Sequence, residues 1–345
     1  MKRLLPVLLV LVLVLVLTAA LSPGVAQEKL PPFDMSIERL DPAFDALIPP
    51  DATVEKCAEG FNWSEGPTWF ADSVVFSDVP ENIIYQWKPG QTAATVFLKP
   101  SGMLTPTAGF REQGSNGLKT DAQGRLLICQ HGERRIARLE KDGTQTALAD
   151  RFEGKRFNSP NDLALRKNGD IYFTDPPYGL EGLDKSPLKE IEWNGVYRRA
   201  ADGTVTLAIK DLTFPNGIGF SPDEKLLYVA VSDSKAPRIM TYGVQADGSV
   251  TNARVFFDAA PLRDQGLKGS CDGLKVDAQG NVWATGPGGV LVIGPAGKHL
   301  GSILTNQATG NCCWGDDGGT LYITADMYLA RVKTKVKGAA WDAKP

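Results

Sequence analysis

The chain has 345 residues, of which 43% are hydrophobic and 22% are charged, the balance of an ordinary globular protein. This composition excludes a disordered chain, a collagen-like chain and a protein with many membrane spans. The 37 basic and 40 acidic residues give a formal charge of -3, so we expect no basic surface for nucleic acid. With two histidines in the whole sequence, a mechanism that needs a histidine cluster is all but excluded.

The chain begins with two basic residues after Met1, followed by an apolar run over residues 4–21 and small residues up to Ala26. This order predicts a secretory signal peptide over residues 1–26. A retained membrane anchor is the alternative, because the run approaches the length of a bilayer span. We therefore expect an exported protein, periplasmic or secreted, with no stable membrane association once the leader is removed.

Six copies of one motif follow, and they begin at residues 65, 116, 161, 216, 272 and 311. Each copy opens on a polar residue, turns at Asp, Asn or Gly, and continues into an apolar strand such as Ile-Tyr-Phe-Thr-Asp over residues 171–175. Two more strand segments complete the copy. Repeated units of four antiparallel strands are typical of propeller blades.

The sequence therefore predicts an all-β chain, a six-bladed β-propeller over residues 52–336. It follows an N-terminal extension over residues 27–51 and precedes a C-terminal tail over residues 337–345. The last copy ends after its third strand, so residues 52–60 are expected to supply its outer strand. That pairing of N- and C-terminal strands would close the ring and leave fewer exposed edges.

The six opening residues all carry side-chain oxygen, and innermost blade strands would bring them to one mouth of the central channel. They are Glu65, Asn116, Asn161, Asn216, Asp272 and Asn311. An alternative is that Asn-Gly and Asp-Gly merely mark hairpin turns. Two carboxylates facing a narrow channel repel each other unless a cation compensates. Carboxylate and amide oxygens suit a hard divalent cation such as calcium or magnesium.

Several longer motifs, taken together, resemble a known family. They include Ser-Glu-Gly-Pro-Thr-Trp over residues 64–69, Arg-Phe-Asn-Ser-Pro-Asn-Asp over 156–162 and Cys-Asp-Gly-Leu over 271–274. They are similar to the senescence marker protein (regucalcin) and gluconolactonase family of calcium-dependent six-bladed propellers, in its bacterial gluconolactonase-like branch. The resemblance covers nearly all of the chain after the leader.

The resemblance implies a calcium-dependent hydrolase that opens a sugar lactone. It assigns the metal to Glu65, Asn161, Asn216 and Asp272, and gives Asp272 the role of catalytic acid and base. Calcium is the expected cation, with magnesium, manganese or zinc as alternatives. Two other functions stay open: a phosphotriesterase like the distantly related diisopropylfluorophosphatase, and a propeller that binds calcium or another ligand without turnover. The oligomeric state is not predicted.

A second set of residues is expected near the same mouth, where it could contact a substrate. It comprises Asn116, His131, Arg156, Asn158, Asp175 and Tyr178. Asn116 is one of the openers, and His131 ends a predicted strand. The others lie just before an opener or just after a strand. The opener Asn311 is a candidate for substrate contact or for support of the ligands.

The five cysteines form no scaffold and no zinc motif, but export permits disulfides. Cys271 stands where this branch often has proline, and Cys312-Cys313 replaces an apolar pair. Since these cysteines flank the predicted mouth on neighbouring blades, a disulfide from Cys271 to Cys312 or Cys313 is a hypothesis. The odd total leaves at least one cysteine unpaired or paired between chains.

Overall fold

Antiparallel strands fill most of the computed structural model, which describes residues 30 and 32–339. The predicted signal peptide lies outside the described residues. Residues 33–339 belong to one compact unit. Among the described residues, no helix has the length and apolar character that a membrane span requires.

Residues 36–333 contain six antiparallel sheets of four or five strands, which are the blades of a propeller. Blade 1 consists of Ser64–Phe70, Ser73–Asp78, Ile83–Trp87 and Thr95–Leu98. Blade 2 consists of Ser115–Thr120, Leu126–Gln130, Arg135–Leu139 and Gln145–Ala149. Blade 3 consists of Leu163–Leu165, Ile171–Asp175, Asn194–Arg199 and Val205–Leu212. Blade 4 consists of Pro215–Phe220, Leu226–Val231, Arg238–Val244 and Val250–Asp258. Blade 5 consists of Leu274–Val276, Val282–Gly286, Gly289–Ile293, His299–Leu304 and Ser36–Arg39. Blade 6 consists of Asn311–Gly315, Thr320–Ala325, Tyr328–Lys333 and Glu55–Glu59. The predicted all-β, six-bladed propeller is thereby confirmed.

Short elements outside the blades complete the described chain. They are the two-residue strands Arg151–Phe152 and Lys155–Arg156, the 3-10 helices Pro42–Ala46 and Leu183–Lys185, and the helical turn Ala260–Arg263. None of these interrupts a blade, because all of them lie in the connections or in the N-terminal segment.

The second strand of each blade is buried along all or nearly all of its length. Ile171–Asp175 and Val282–Gly286 are buried at every position. A strand covered on both faces reads in the sequence as a short continuous apolar run. This explains why the six apolar runs could be located from the sequence alone.

Apolar side chains between neighbouring blades form the core. Within residues 33–339 they make six clusters, one for each contact between adjacent blades around the ring. The cluster between blades 5 and 6 contains Trp283 and Trp314, whose rings meet edge to face at 5.4 Å. Because burial is distributed in this way, each blade is stabilised by both of its neighbours.

The ring closes as expected, through pairing of the two ends of the chain. Glu55–Glu59 is antiparallel to Tyr328–Lys333, with Glu59 opposite Tyr328. The strand from the N-terminal side thus becomes the outer strand of blade 6. This pairing covers an edge that would otherwise be open to another chain.

The segment before the ring is also built into it. Ser36–Arg39 adds a fifth strand to blade 5, opposite residues 301–304. Asp41 then caps the 3-10 helix Pro42–Ala46 by accepting a hydrogen bond from the amide of Ala43 at 2.8 Å. Phe44 is fully buried in the cluster between blades 5 and 6, so this segment fastens the two blades together.

The hypothesis of a disulfide at Cys271 is wrong in this structure, where all five cysteines are free and buried. Cys271 belongs to the cluster between blades 4 and 5. Cys312 points into the cluster between blades 5 and 6, and Cys313 into the one between blades 6 and 1. Adjacent residues of a strand point to opposite faces, so the two cysteines serve as small apolar residues in different interfaces.

Candidate active site

The first strands of the blades line the channel, and each one contacts the first strands on either side of it. The openers are linked from blade to blade through their backbones. The amide of Gly117 donates to the carbonyl oxygen of Asn161 at 2.7 Å, and the amide of Gly217 donates to that of Asp272 at 3.0 Å. These bonds hold openers of neighbouring blades side by side.

The glycine that follows an opener is required by this close approach. A β-carbon at Gly117 would lie 2.6 Å from the carbonyl oxygen of Asn161. One at Gly217 would lie 2.4 Å from the carbonyl oxygen of Asp272. Both glycines lie inside channel-lining strands, so these Asn-Gly pairs mark contact between blades. The hairpin interpretation does not apply to them.

Four opener side chains share an unusual property. Each has a buried oxygen, Oδ1, without a hydrogen-bond partner: Asn116, Asn161, Asn216 and Asp272. A buried polar atom without a partner is destabilising and is uncommon in folded proteins. Four such acceptors on the channel-lining segments fit a positively charged ligand, because an oxygen that accepts no hydrogen bond is free to contact a cation.

Glu65 adds a second carboxylate to this group. Its carboxyl group and that of Asp272 lie within hydrogen-bond distance of each other. Burial raises the pKa of Glu65 to about 7, although the amide of Gly66 donates to its Oε2 at 2.5 Å and opposes the change. Burial and the neighbouring charge of Glu65 raise the pKa of Asp272 well above its usual range. A divalent cation would remove this repulsion and leave both groups ionised.

We call Glu65, Asn116, Asn161, Asn216 and Asp272 the mouth ring. Its donors are two carboxylates and three amide oxygens, the ligand types preferred by hard cations. No group of three or more His, Cys, Asp or Glu side chains in the described part of the chain has an arrangement suited to a metal. The mouth ring therefore fits a hard cation only if its amides act as ligands.

One member of the mouth ring is oriented by a residue that sequence reasoning missed. The Nδ2 of Asn216 donates to the hydroxyl of Ser232 at 3.0 Å, and that hydroxyl donates to the carbonyl oxygen of Cys271 at 2.5 Å. These bonds leave the Oδ1 of Asn216 as the unpartnered atom of the amide. Ser232 follows the end of a strand and has no counterpart in the repeat, so no sequence signal distinguished it.

The sixth opener, Asn311, behaves differently. Its Oδ1 accepts a hydrogen bond from the ammonium of Lys275 at 2.8 Å, and its Nδ2 donates to Asp162 at 3.2 Å. Lys275 also lies 3.4 Å from the carboxylate of Asp162. We call Asp162, Lys275 and Asn311 the lysine cluster. Because its polar groups satisfy one another, it supports the channel without offering a free oxygen.

Tyr178 lies next to the mouth ring. Its hydroxyl interacts with Ser232 and Asn216, while burial raises its pKa above the usual range. Its ring stacks on Phe214 with centroids 5.7 Å apart. The phenol is therefore held beside the mouth ring as a neutral hydrogen-bonding group.

His131 is fully buried, and neither ring nitrogen has a hydrogen-bond partner. Burial and the positive charge of Arg111 lower its pKa to about 3, so the ring is neutral at physiological pH. Beside it lies Glu112, a residue that sequence reasoning missed, with Oε2 at 3.8 Å from the Nδ1 of His131. Glu112 falls in a connection between blades, where no repeat position could mark it.

Arg156, Asn158 and Asp175 belong to a different network. The guanidinium of Arg156 donates to the carbonyl oxygen of Glu133 at 2.6 Å. The side-chain Nδ2 of Asn158 donates to the carbonyl oxygen of Asp175, and the backbone amide of Asn158 donates to the carboxylate of Asp175 at 2.7 Å. Burial raises the pKa of Asp175 to about 7. These bonds hold the segment that leads into Asn161.

Comparisons with known proteins agree with this architecture. Residues 63–326 match the model of the SMP-30/Gluconolactonase/LRE-like region. The chain is 42% identical over 310 residues to a gluconolactonase of Zymomonas mobilis, a match that covers 88% of this chain and 87% of the relative.

Two solved structures extend this similarity. A gluconolactonase of Xanthomonas campestris is 32% identical, with a TM-score of 0.76, over 88% of this chain and 96% of its own. A further X-ray structure reaches the same TM-score of 0.76 at 35% identity, over 88% of this chain and 99% of its own. The chain therefore belongs to the SMP-30/gluconolactonase/LRE-like family.

Proposed function

We propose that this protein is a metal-dependent lactonase that opens a sugar lactone of the gluconolactone type. The observation that carries the proposal is the mouth ring, where four buried oxygens lack partners beside a pair of adjacent carboxyl groups. The similarity to the gluconolactonases of Zymomonas mobilis and Xanthomonas campestris supports the choice of substrate class.

Glu65, Asn161, Asn216 and Asp272 hold the cation in this proposal, and calcium is the ion that this set of oxygens suits best. When bound, the cation supplies polarisation of the lactone carbonyl and stabilises negative charge on its oxygen. Asn116 has its Oδ1 in the same ring, so it either completes the ligand set or contacts the substrate. Tyr178 offers its hydroxyl to the substrate from the side.

Asp272 is the residue we assign to proton transfer. It is the most exposed member of the mouth ring, since the other four are buried. Its carboxylate takes a proton from the attacking water while the water oxygen bonds to the carbonyl carbon. The bond from that carbon to the ring oxygen then breaks, and Asp272 returns the proton to the leaving alkoxide. The product is the open hydroxy acid.

The test uses protein that begins at Gln27, stripped of metal with a chelator and then reloaded with calcium. Proton release is measured with D-glucono-1,5-lactone and, separately, with a phosphotriester. We expect calcium-dependent hydrolysis of the lactone. Hydrolysis of the phosphotriester alone would instead favour the phosphotriesterase function. No turnover of either substrate by calcium-loaded protein would contradict an enzymatic role.

Export is part of the same proposal and is supported by the pattern of the first 26 residues. The full-length chain would be expressed in a Gram-negative host, and the periplasmic fraction would be analysed by intact mass. We expect a mature protein that begins at Gln27. A full-length protein in the cytoplasmic or membrane fraction would contradict cleavage of the leader.

A further inference from the structure

Glu112 occupies a fixed position beside the site. It lies in the connection between blades 1 and 2, where the amides of Arg111 and Glu112 donate to the carbonyl oxygen of Gly179 at 2.9 and 3.3 Å. Phe110 also forms an isolated β-bridge to Leu180. These contacts join the connection to the segment that carries Tyr178. The backbone of Glu112 is therefore held next to a residue of the mouth.

The carboxylate of Glu112 has one oxygen engaged and one available. Its Oε1 accepts a hydrogen bond from the guanidinium of Arg111 at 2.6 Å. Its Oε2 lies 3.8 Å from the Nδ1 of His131, which is longer than a hydrogen bond. The side chain is 15% exposed, whereas that of His131 is not exposed at all. Of the two side chains, only that of Glu112 has exposed surface.

The negative charge of Glu112 acts on the residues of the site. Burial is the main cause of the raised pKa of Asp272, and the negative charges of Glu65 and Glu112 raise it further. Burial likewise raises the pKa of Tyr178, with a contribution in the same direction from Glu112. Electrostatic effects of this kind weaken with distance. The geometry agrees, because the amide hydrogen bond to Gly179 places Glu112 against the residue that follows Tyr178, and the hydroxyl of Tyr178 interacts with Asn216 of the mouth ring.

We propose that Glu112 determines specificity by accepting a hydrogen bond from a ring hydroxyl of the lactone, so that polyhydroxylated sugar lactones are preferred over unsubstituted ones. This inference rests on the proposed lactonase function and deepens it. A charged acceptor left without its hydroxyl partner is penalised, so a site of this kind discriminates against a substrate that lacks the hydroxyl. Arg111 orients the carboxylate through its hydrogen bond and opposes the increase in the pKa of Glu112 that burial causes.

The experiment compares D-glucono-1,5-lactone with δ-valerolactone, which has the same ring size and no hydroxyl groups. Both are measured with calcium-loaded wild-type protein and with Glu112→Gln. The matched control is Glu181→Gln, which removes the same charge at an exposed position of the neighbouring segment. We expect Glu112→Gln to lower kcat/KM for the sugar lactone by about 10- to 100-fold, mainly through KM. Activity on δ-valerolactone should change less than about threefold, and Glu181→Gln should leave both substrates unaffected.

Three results would overturn the inference. An equal loss on both lactones would place Glu112 in the chemistry or in the fold, and unchanged kinetics on both would leave it no role. A reduced stabilisation of Glu112→Gln by calcium in thermal unfolding would make it a metal ligand instead. Failure of the proposed function itself is distinguishable, because the wild-type protein would then hydrolyse neither lactone.

Discussion

The mouth ring and the lysine cluster are two polar regions of one channel, and they differ in how their oxygens are satisfied. In the mouth ring, Asn161 and Asn216 have buried oxygens without partners. In the lysine cluster, Asn311 occupies the same repeat position but accepts a hydrogen bond from Lys275. The same residue type at the same position is thus a candidate ligand in one blade and a structural group in another.

This difference shows what identifies a site in a repeat protein. The repeat determines the position of a residue in its blade, whereas the neighbouring side chains determine which of its polar atoms lack a hydrogen-bond partner. Lys275 lies three residues beyond Asp272 and brings a positive charge into the channel, where it neutralises Asp162. A cation in the mouth ring would have the same effect on Glu65 and Asp272. If the two regions differ in this way, substitutions in the mouth ring should impair calcium binding and catalysis, whereas substitutions in the lysine cluster should lower stability.

The largest effect is expected for Asp272→Asn. The substitution keeps the size of the side chain but removes the base, so kcat for lactone hydrolysis should fall by about 10²- to 10⁴-fold. Calcium-dependent proton release measures this loss, and Asn311→Ala is the control at the same repeat position in another blade. Full calcium-dependent activity in Asp272→Asn would show that another group takes the proton.

Lys275→Met tests the lysine cluster. It leaves Asp162, which is 2% exposed, as a buried charge without its ion-pair partner. The free energy of unfolding should fall by about 3 kcal/mol in denaturant titrations. Lys298→Met is the matched control, because it breaks the exposed pair with Asp41 and should change stability by less than about 1 kcal/mol. Equal effects of the two substitutions would contradict a structural role for the cluster.

Asn161→Ala and Asn311→Ala compare the two regions directly. Removing Asn161 takes away an unpartnered oxygen, so calcium affinity should fall by at least about tenfold, as measured by calorimetry. Removing Asn311 breaks its bonds to Lys275 and Asp162 and should cost about 1–2 kcal/mol of stability, with calcium affinity unchanged. The contrast would fail if both substitutions weakened calcium binding to the same extent.

The smallest effect concerns pH. The pKa of Glu65 is raised from 4.5 to about 7 by burial in the metal-free fold. Its contribution to stability is therefore complete below pH 4.5 and is lost as the pH rises to about 7. Calcium binds the ionised form, so its stabilisation of the fold should be larger at pH 8 than at pH 5. Thermal unfolding with calcium or with chelator at both pH values measures this difference.

Glu65→Gln is the control for the pH experiment, because a neutral amide cannot titrate. Its calcium-dependent shift in Tm should vary less with pH than that of the wild-type protein. A calcium effect that is equal at pH 5 and pH 8 in the wild-type protein would show that the mouth ring does not change its protonation on binding.

Much of the fold could be predicted because the relevant signals are local. Each apolar run, such as residues 126–130 or 282–286, lies between turn residues and is buried on both faces of its blade. The role of Ser36–Arg39 could not be predicted in this way. Its place in blade 5 depends on pairing with residues more than 260 positions away, and four polar or β-branched residues carry no signal for such a partner.

The sequence by itself determined the six repeats and the polar residue at the start of each blade, because strand pattern and turn chemistry depend on neighbouring residues. It also indicated the closure of the ring, because the last copy lacks a fourth strand that another segment must supply. Tertiary structure alone decided that Asn311 is engaged by Lys275 and that Ser232 orients Asn216. It also decided that Glu112 keeps exposed side-chain surface while His131 beside it is fully buried. Hydrogen bonding and burial are set by side chains from different blades. Residues far apart in the chain decide them, and only the folded ring brings those residues together.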